Sequence, residues 1–189
     1  MNASVSPQQR GRNRGMLVLI VVIFLGSAIV AGALRFSGWR PAGMKNHGEL
    51  LDPPGDLRAL VPRLQGGGEY RWNPGERTWR IALAPGDGCG APCVELSRQL
   101  DTVWQLFGHR ADHVQILWIG TPPDGAVRNA AWRGIEPSPE LLAALPRRAD
   151  PAGTPVYVID PNGFVILRYP PGFDPGHLRE DVGRLLKLK

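Results

Sequence analysis

Residues 78–107 read TWRIALAPGDGCGAPCVELSRQLDTVWQLF, and the fold turns on how that stretch divides. Thr78 to Ala84 alternates polar and apolar residues, the period of a strand. Pro85-Gly86-Asp87-Gly88 is a run of turn formers. From Cys93 to Phe107 the apolar residues Leu96, Leu100, Val103, Trp104 and Phe107 recur at helical spacing and form one face. Cys89 and Cys93, the two cysteines of the chain, sit where the strand gives way to the helix.

The residues beyond extend the pattern. His113 to Ile119 reads as a second strand and Thr121 to Ala131 as a loop. Ser138-Pro139-Glu140 can cap and start a short helix through Leu145, which Pro146 ends. Pro155 to Asp160 is a strand, Pro161-Asn162-Gly163 a hairpin turn, and Phe164 to Tyr169 the returning strand. Asp174-Pro175 supplies an N-cap with proline at the first helical position. Leu178, Val182, Leu185 and Leu186 then form the buried stripe of a last helix. Strand, cysteine turn, helix, strand, helix, then a prolyl strand, a hairpin and a final helix is the thioredoxin-like α/β layout.

Upstream, Gly15 to Leu34 (GMLVLIVVIFLGSAIVAGAL) contains no charge. As a helix it spans roughly 30 Å, the thickness of a bilayer core. Lipid leaves backbone amides no outside partner, so a helix is the form one such segment takes. A cleavable signal peptide is the alternative, because Ala31-Gly32-Ala33 resembles a small-residue cleavage site. The run exceeds the usual apolar region of such peptides, which favours an uncleaved anchor. The expected organisation is therefore a short basic tail over 1–14, an anchor over 15–34, a Gly- and Pro-rich linker and irregular lead-in over 35–68, and the thioredoxin-like domain over 69–189.

The charge follows that division. The 189-residue chain carries 22 basic and 17 acidic groups, a formal charge of +5. Arg10, Arg12, Arg14, Arg35, Arg40 and Lys45 lie in residues 1–45 with no acid among them, so residues 46–189 are close to neutral. The positive charge is a fringe around the apolar run, not a nucleic-acid surface, and Arg147-Arg148 is too small a patch for one. Basic residues on both sides of the run give the positive-inside rule little to act on. The unstructured tail favours an inside N-terminus and an outward domain. No P-loop, no G-x-S-x-G and no G-x-G-x-x-G after a strand is found.

Chemistry therefore concentrates on Cys89-Gly90-Ala91-Pro92-Cys93. Free amides and the helix dipole at a helix start favour a thiolate. Asp87 works against that effect, and no lysine or arginine lies within several residues to add to it. Three intervening residues place both sulfurs on the first turn, which suits a reversible disulfide or two thiolates on one soft metal ion. A bridge closing so small a loop restricts the unfolded chain little, so stability alone is a weak reason for the pair.

An anchor, an exported thioredoxin-like domain and C-x-x-x-C after its first core strand resemble the Sco/SenC group of cytochrome oxidase assembly proteins. The lead-in Asn46-His47-Gly48-Glu49-Leu50-Leu51 and the segment Tyr157-Val158-Ile159-Asp160-Pro161-Asn162-Gly163 are similar to that family's sequences as well. The resemblance implies copper binding and thiol exchange during assembly of the oxidase copper centre, with Cys89 and Cys93 matching the paired thiolates. It implies as partner a copper-site oxidase subunit or another exported thiol protein. It places the chain in a bacterial inner membrane with the domain in the periplasm. The family's third copper ligand is a histidine, in a triplet shortly before the position of Tyr157. Here Asp150-Pro151-Ala152-Gly153-Thr154 stands in that place. Thr154-Pro155 is instead similar to the cis-proline segment of thioredoxin-like redox proteins, which faces the cysteines. By that resemblance Cys89, Cys93 and Pro155 form the site, with Cys89 as attacking thiolate and Cys93 as resolving partner. A copper metallochaperone and an assembly factor with a static disulfide are the alternatives.

The remaining candidates have plainer roles. His47, His109, His113 and His177 are expected as surface or satisfied histidines. Trp72, Trp79, Trp104, Trp118 and Trp132 are expected in the core or on a docking face. Trp39 is placed to anchor at the headgroups.

Overall fold

The computed structural model describes residues 7–37, 46–86 and 88–187, with side chains from Asn13 onward. Arg10 and Arg12 (side chains), Trp39, Arg40, Lys45 and Asp87 fall outside that description. The chain forms two compact units, Met1–Lys45 and Asn46–Lys189. In the first, helix α1 runs from Pro7 to Phe36. Its Asn13–Phe36 stretch, with a mean hydropathy of 2.9 in its most apolar window, is long and apolar enough to cross a membrane. Its apolar side chains are exposed, as a lipid-facing helix requires.

The second unit is built on a six-stranded mixed sheet. Its strands are β1 (Glu49–Asp56), β2 (Trp79–Leu83), β3 (Val114–Ile119), β4 (Trp132–Ile135), β5 (Val156–Ile159) and β6 (Phe164–Tyr169). Their order across the sheet is β1-β6-β5-β2-β3-β4. Strands β2, β3 and β4 are parallel, and β5 and β6 run antiparallel to their neighbours. Helix α2 (Ala91–Gln105) connects β2 to β3, α3 (Pro139–Ala143) precedes β5, and α4 (Pro175–Leu185) follows β6.

Both faces of this sheet are covered, which explains why its central strands read as near-continuous apolar runs. Ile81, Leu83, Ile116, Trp118, Val156 and Val158 point to one face, where they meet Leu100 and Val103 of α2 and Leu178 and Val182 of α4. Ala82, Leu117, Tyr157 and Ile159 point to the other, against Leu141 of α3, Leu145 just beyond it, and Leu57 and Tyr70 from the segment before β2. Trp118 stacks on Trp132 at 4.8 Å, and Trp104 donates its indole N–H to the carbonyls of Ala111 and Val114. Trp118 is a core residue, and Trp104 and Trp132 pack half-buried against the same cluster.

The caps fall where the sequence placed them. The Ser138 side chain accepts the Leu141 amide, and the Asp174 carboxylate accepts the Gly176 amide at 2.7 Å. Asp174→Ala leaves that amide without its partner at a helix packed beside α2. The expected result is a loss of about 1 kcal/mol of stability in chemical denaturation.

Two strands were not expected. Glu49–Asp56, read as irregular lead-in, is β1 and pairs with β6. Its Asp52-Pro53-Pro54-Gly55 centre breaks the register between Leu50 and Gly55, so the ladder forms only at its two ends. Prolines are tolerated in a strand at a sheet edge, which is where β1 lies. The other strand, β4, is the opposite edge, and four residues are too few to show a period. His113, expected to open a strand, ends a short 3-10 segment (Gly108–His113), and β3 begins at Val114.

Candidate redox site

The carboxyl end of β2 delivers the chain to the site. After Leu83 it leaves the sheet through Ala84-Pro85-Gly86, and α2 starts with Gly90 at its N-cap and Pro92 in its first turn. Gly90 brings no side-chain cap, Pro92 has no amide hydrogen, and the Cys93 amide donates to the Gly90 carbonyl at 3.0 Å. Cys89 and Cys93 are joined in a disulfide with their Cα atoms 5.6 Å apart. The two sulfur-bearing residues differ in environment. Cys93 is fully buried in the core beneath α2, whereas Cys89 is half-buried. Both cysteines border a cleft of about 750 Å³, lined also by Leu96, Asp150, Thr154, Pro171 and Phe173, and Cys89 is the more exposed of the two.

The segment before β5 closes that cleft. Thr154 places its hydroxyl 3.8 Å from the Cys89 sulfur and 3.9 Å from that of Cys93. Pro155, expected as the residue facing the cysteines, is buried one position further on. The Thr154–Pro155 peptide is trans; among the described residues the cis bond is Asp52–Pro53. The hydroxyl of Thr154 is a group that this segment presents to the sulfurs. In the reduced protein it can donate to a thiolate. Thr154→Val removes the donor and keeps the shape. Alkylation of reduced Cys89 at neutral pH is expected to slow about threefold, read as the rate of iodoacetamide incorporation.

A charged network supports the Thr154 segment from below. Arg168 of β6 is buried and pairs with Asp150 at 2.6 Å and with Glu49 of β1 at 3.2 Å. Asp150 also accepts the Ala152 amide at 3.0 Å. That amide, with the Arg168 guanidinium, holds the Asp150 carboxyl below the usual carboxylate range. Arg147 pairs with Glu49 on the rim. The unexpected strand β1 thus contributes to the site through Glu49.

The fold adds one cation that local sequence does not show. Arg148, about sixty positions from the cysteines, lines the same cleft as Cys89. The histidines stay away. His47 stacks on His177 at 4.0 Å between ring centres and its Nε2 lies 3.1 Å from Glu180. His109 and His113 occupy the 3-10 segment before β3. None of the four lines the cleft.

Copper can be judged on this donor set. Among the described residues no group of three His, Cys, Asp or Glu side chains converges on a point that could hold a metal ion. Where the Sco resemblance calls for a histidine, the third group near the sulfurs is a threonine hydroxyl, a hard neutral donor. These residues do not fit a three-ligand copper site.

The sequence of residues 79–189 matches the family described as transmembrane-like, thioredoxin-like, C-terminal domain. The chain belongs to that family. Its members' name agrees with the two parts seen here, an apolar helix and a thioredoxin-like domain. No curated protein matches the chain by sequence. Among solved structures, the fold is similar to that of BsSco, a member of the Sco family of cytochrome c oxidase assembly proteins in which a disulfide switch was identified. The TM-score is 0.53 at 12% identity, over 75% of this chain and 98% of BsSco. Trgpx in its apo form superposes with a TM-score of 0.51 at 13% identity, over 70% and 95% of the two chains. A putative electron transport protein from Aquifex aeolicus VF5 gives 0.50 at 18% identity, over 72% and 96%. At such identities the likeness is one of fold.

Proposed function

We propose that this chain is a membrane-anchored thiol–disulfide exchange protein acting through Cys89 and Cys93 on an exported protein, with a cytochrome oxidase copper-site subunit as the client its Sco-like sequence features favour. The observation that carries the exchange chemistry is the asymmetric pair. Cys89 is half-buried, Cys93 is fully buried, and both border the cleft at a helix start beside a single hydroxyl.

In the reducing direction the Cys89 thiolate attacks one sulfur of a client disulfide. A Cys89–client bond forms as the client S–S bond breaks, and the client's second sulfur leaves as thiolate. The Cys93 thiolate then attacks the Cys89 sulfur, closing the Cys89–Cys93 disulfide and releasing the client's first sulfur as thiolate. Two electrons pass from the cysteine pair to the client, and an external dithiol donor restores the pair. The helix dipole and the Thr154 hydroxyl stabilise the attacking thiolate. Pro155 fixes the start of β5 and so the place of Thr154. A disulfide-using domain belongs in an oxidising compartment, which supports a cytoplasmic N-terminus, an inner-membrane anchor and a periplasmic domain.

The test is the redox potential of the full chain in detergent, with Cu(I) and Cu(II) titrations of wild type and of the Cys89→Ser, Cys93→Ser double variant. A potential above about −300 mV without tight copper binding supports thiol exchange. Tight copper binding lost in the double variant overturns it in favour of a metallochaperone. A lower potential without copper binding leaves a static bridge.

A further inference from the structure

Cys89 does not sit in one cleft but on a ridge between two. The second, of about 730 Å³, is lined by Ile119, Thr121, Pro122 and Leu142, among others. Gly86, Gly88, Cys89 and Arg148 belong to both clefts. Cys89 and Arg148 therefore border both hollows, whose linings are more apolar than polar. A small thiol compound would occupy a fraction of this space. An extended polypeptide crossing the ridge would fill it, its cysteine over Cys89 and its neighbours in each hollow.

The charge on the crest narrows the substrate further. The other described ionic groups at or beside the first cleft each have an ion-pair partner. Asp150 is paired with Arg168, Arg147 with Glu49, and Glu95 with Arg98 at 3.5 Å. Arg148 has no carboxylate partner among the described residues. Its carbonyl accepts the Asp150 amide at 3.0 Å, which ties its backbone to the supported loop, and the half-buried residue borders both clefts. A planar guanidinium is suited to gripping a carboxylate through two hydrogen bonds.

Resting on the thiol-exchange function proposed above, we infer that Arg148 is a specificity residue that binds an acidic side chain next to the client's reactive cysteine, so that the substrate is an extended, acid-flanked cysteine segment of a protein. Arg148 takes no part in the electron transfer. It holds the client carboxylate while the client sulfur meets Cys89.

The experiment uses the reduced full chain in neutral detergent. The substrates are short peptides with one cysteine blocked as its methyl disulfide and flanked by Glu, Gln or Lys. The Cys89 thiolate displaces methanethiolate, and Cys93 then releases the peptide thiol. Rates are taken as ratios to the Gln peptide within each variant, so a change in thiol reactivity cancels. Wild type is expected to prefer the Glu peptide about fivefold at low salt, and the preference falls as salt is added. Arg148→Ala should bring the ratio to near one, Arg148→Lys should keep part of it, and Arg148→Glu should invert it toward the Lys peptide. A wild-type ratio near one, or a preference that survives Arg148→Ala, overturns the inference while leaving thiol exchange intact. Failure of wild type to react with any of the three peptides overturns both.

Discussion

Cys89→Ser is expected to lower disulfide exchange by at least about a thousandfold, because a serine hydroxyl is not ionised at neutral pH and cannot replace the thiolate. Cys93→Ser is expected to behave differently. The first attack remains, since Cys89 is the half-buried sulfur at the cleft wall. The second step is lost, since the buried group that would resolve the mixed disulfide is gone. The Cys93→Ser protein should therefore accumulate a covalent Cys89–client adduct, visible as a mass increase that dithiothreitol removes. Equal trapping by the two single variants would mean that burial does not decide which sulfur attacks.

Much of this was legible in sequence, for local reasons. The alternation of Thr78–Ala84, the helical spacing from Leu96 to Phe107 and the Pro161-Asn162-Gly163 turn are local signals, and the elements formed with nearly those bounds. Gly163, with φ of 103°, takes a conformation that side-chain-bearing residues rarely adopt, so the turn was written into one residue. The cysteine pair was equally plain. What could not be read is what tertiary approach decides. Thr154 meets the sulfurs from 65 positions away, and nothing in Gly-Thr-Pro announces a hydroxyl aimed at them. The sequence pointed at Pro155 by analogy with other redox proteins, one residue from the group in contact. Arg148 sat in a doublet dismissed as too small for a nucleic-acid patch, and the absence of basic residues near the cysteines in sequence did not survive folding. Strand β1 was hidden because two prolines and a glycine interrupt any period, although Glu49 at its start reaches the Arg168 network.

The same limit hid the joint expected to matter most for stability. Asp181 of α4 is buried, and its carboxylate accepts the amides of His47 at 2.7 Å and Gly48 at 3.0 Å and the Tyr169 hydroxyl at 2.7 Å. Arg184 donates to its other oxygen at 3.2 Å. The first residues of the domain are thus fastened to its last helix. Gly48 fits because it has no side chain: a Cβ there would come within 2.7 Å of the Tyr169 ring. Asp181→Ala removes one acceptor and leaves several donors without a partner, so a loss of roughly 3–5 kcal/mol is expected. Tyr169→Phe removes one donor and should cost about 1 kcal/mol. In the double variant the tyrosine loss should largely vanish, because its partner is already gone. The pair also sets a pH dependence. Burial, then the hydrogen bond to Asp181 and its charge, raise the Tyr169 hydroxyl far above its ordinary value. The folded protein therefore holds a proton that the unfolded chain releases near pH 10, at about the free tyrosine value. This contribution is fully present below that pH and declines as the pH rises above it. Denaturation followed by tryptophan fluorescence between neutral pH and pH 11 should show a steeper alkaline loss in wild type than in Tyr169→Phe. Parallel losses would place the phenol outside the balance and leave the two backbone amides as what Asp181 holds.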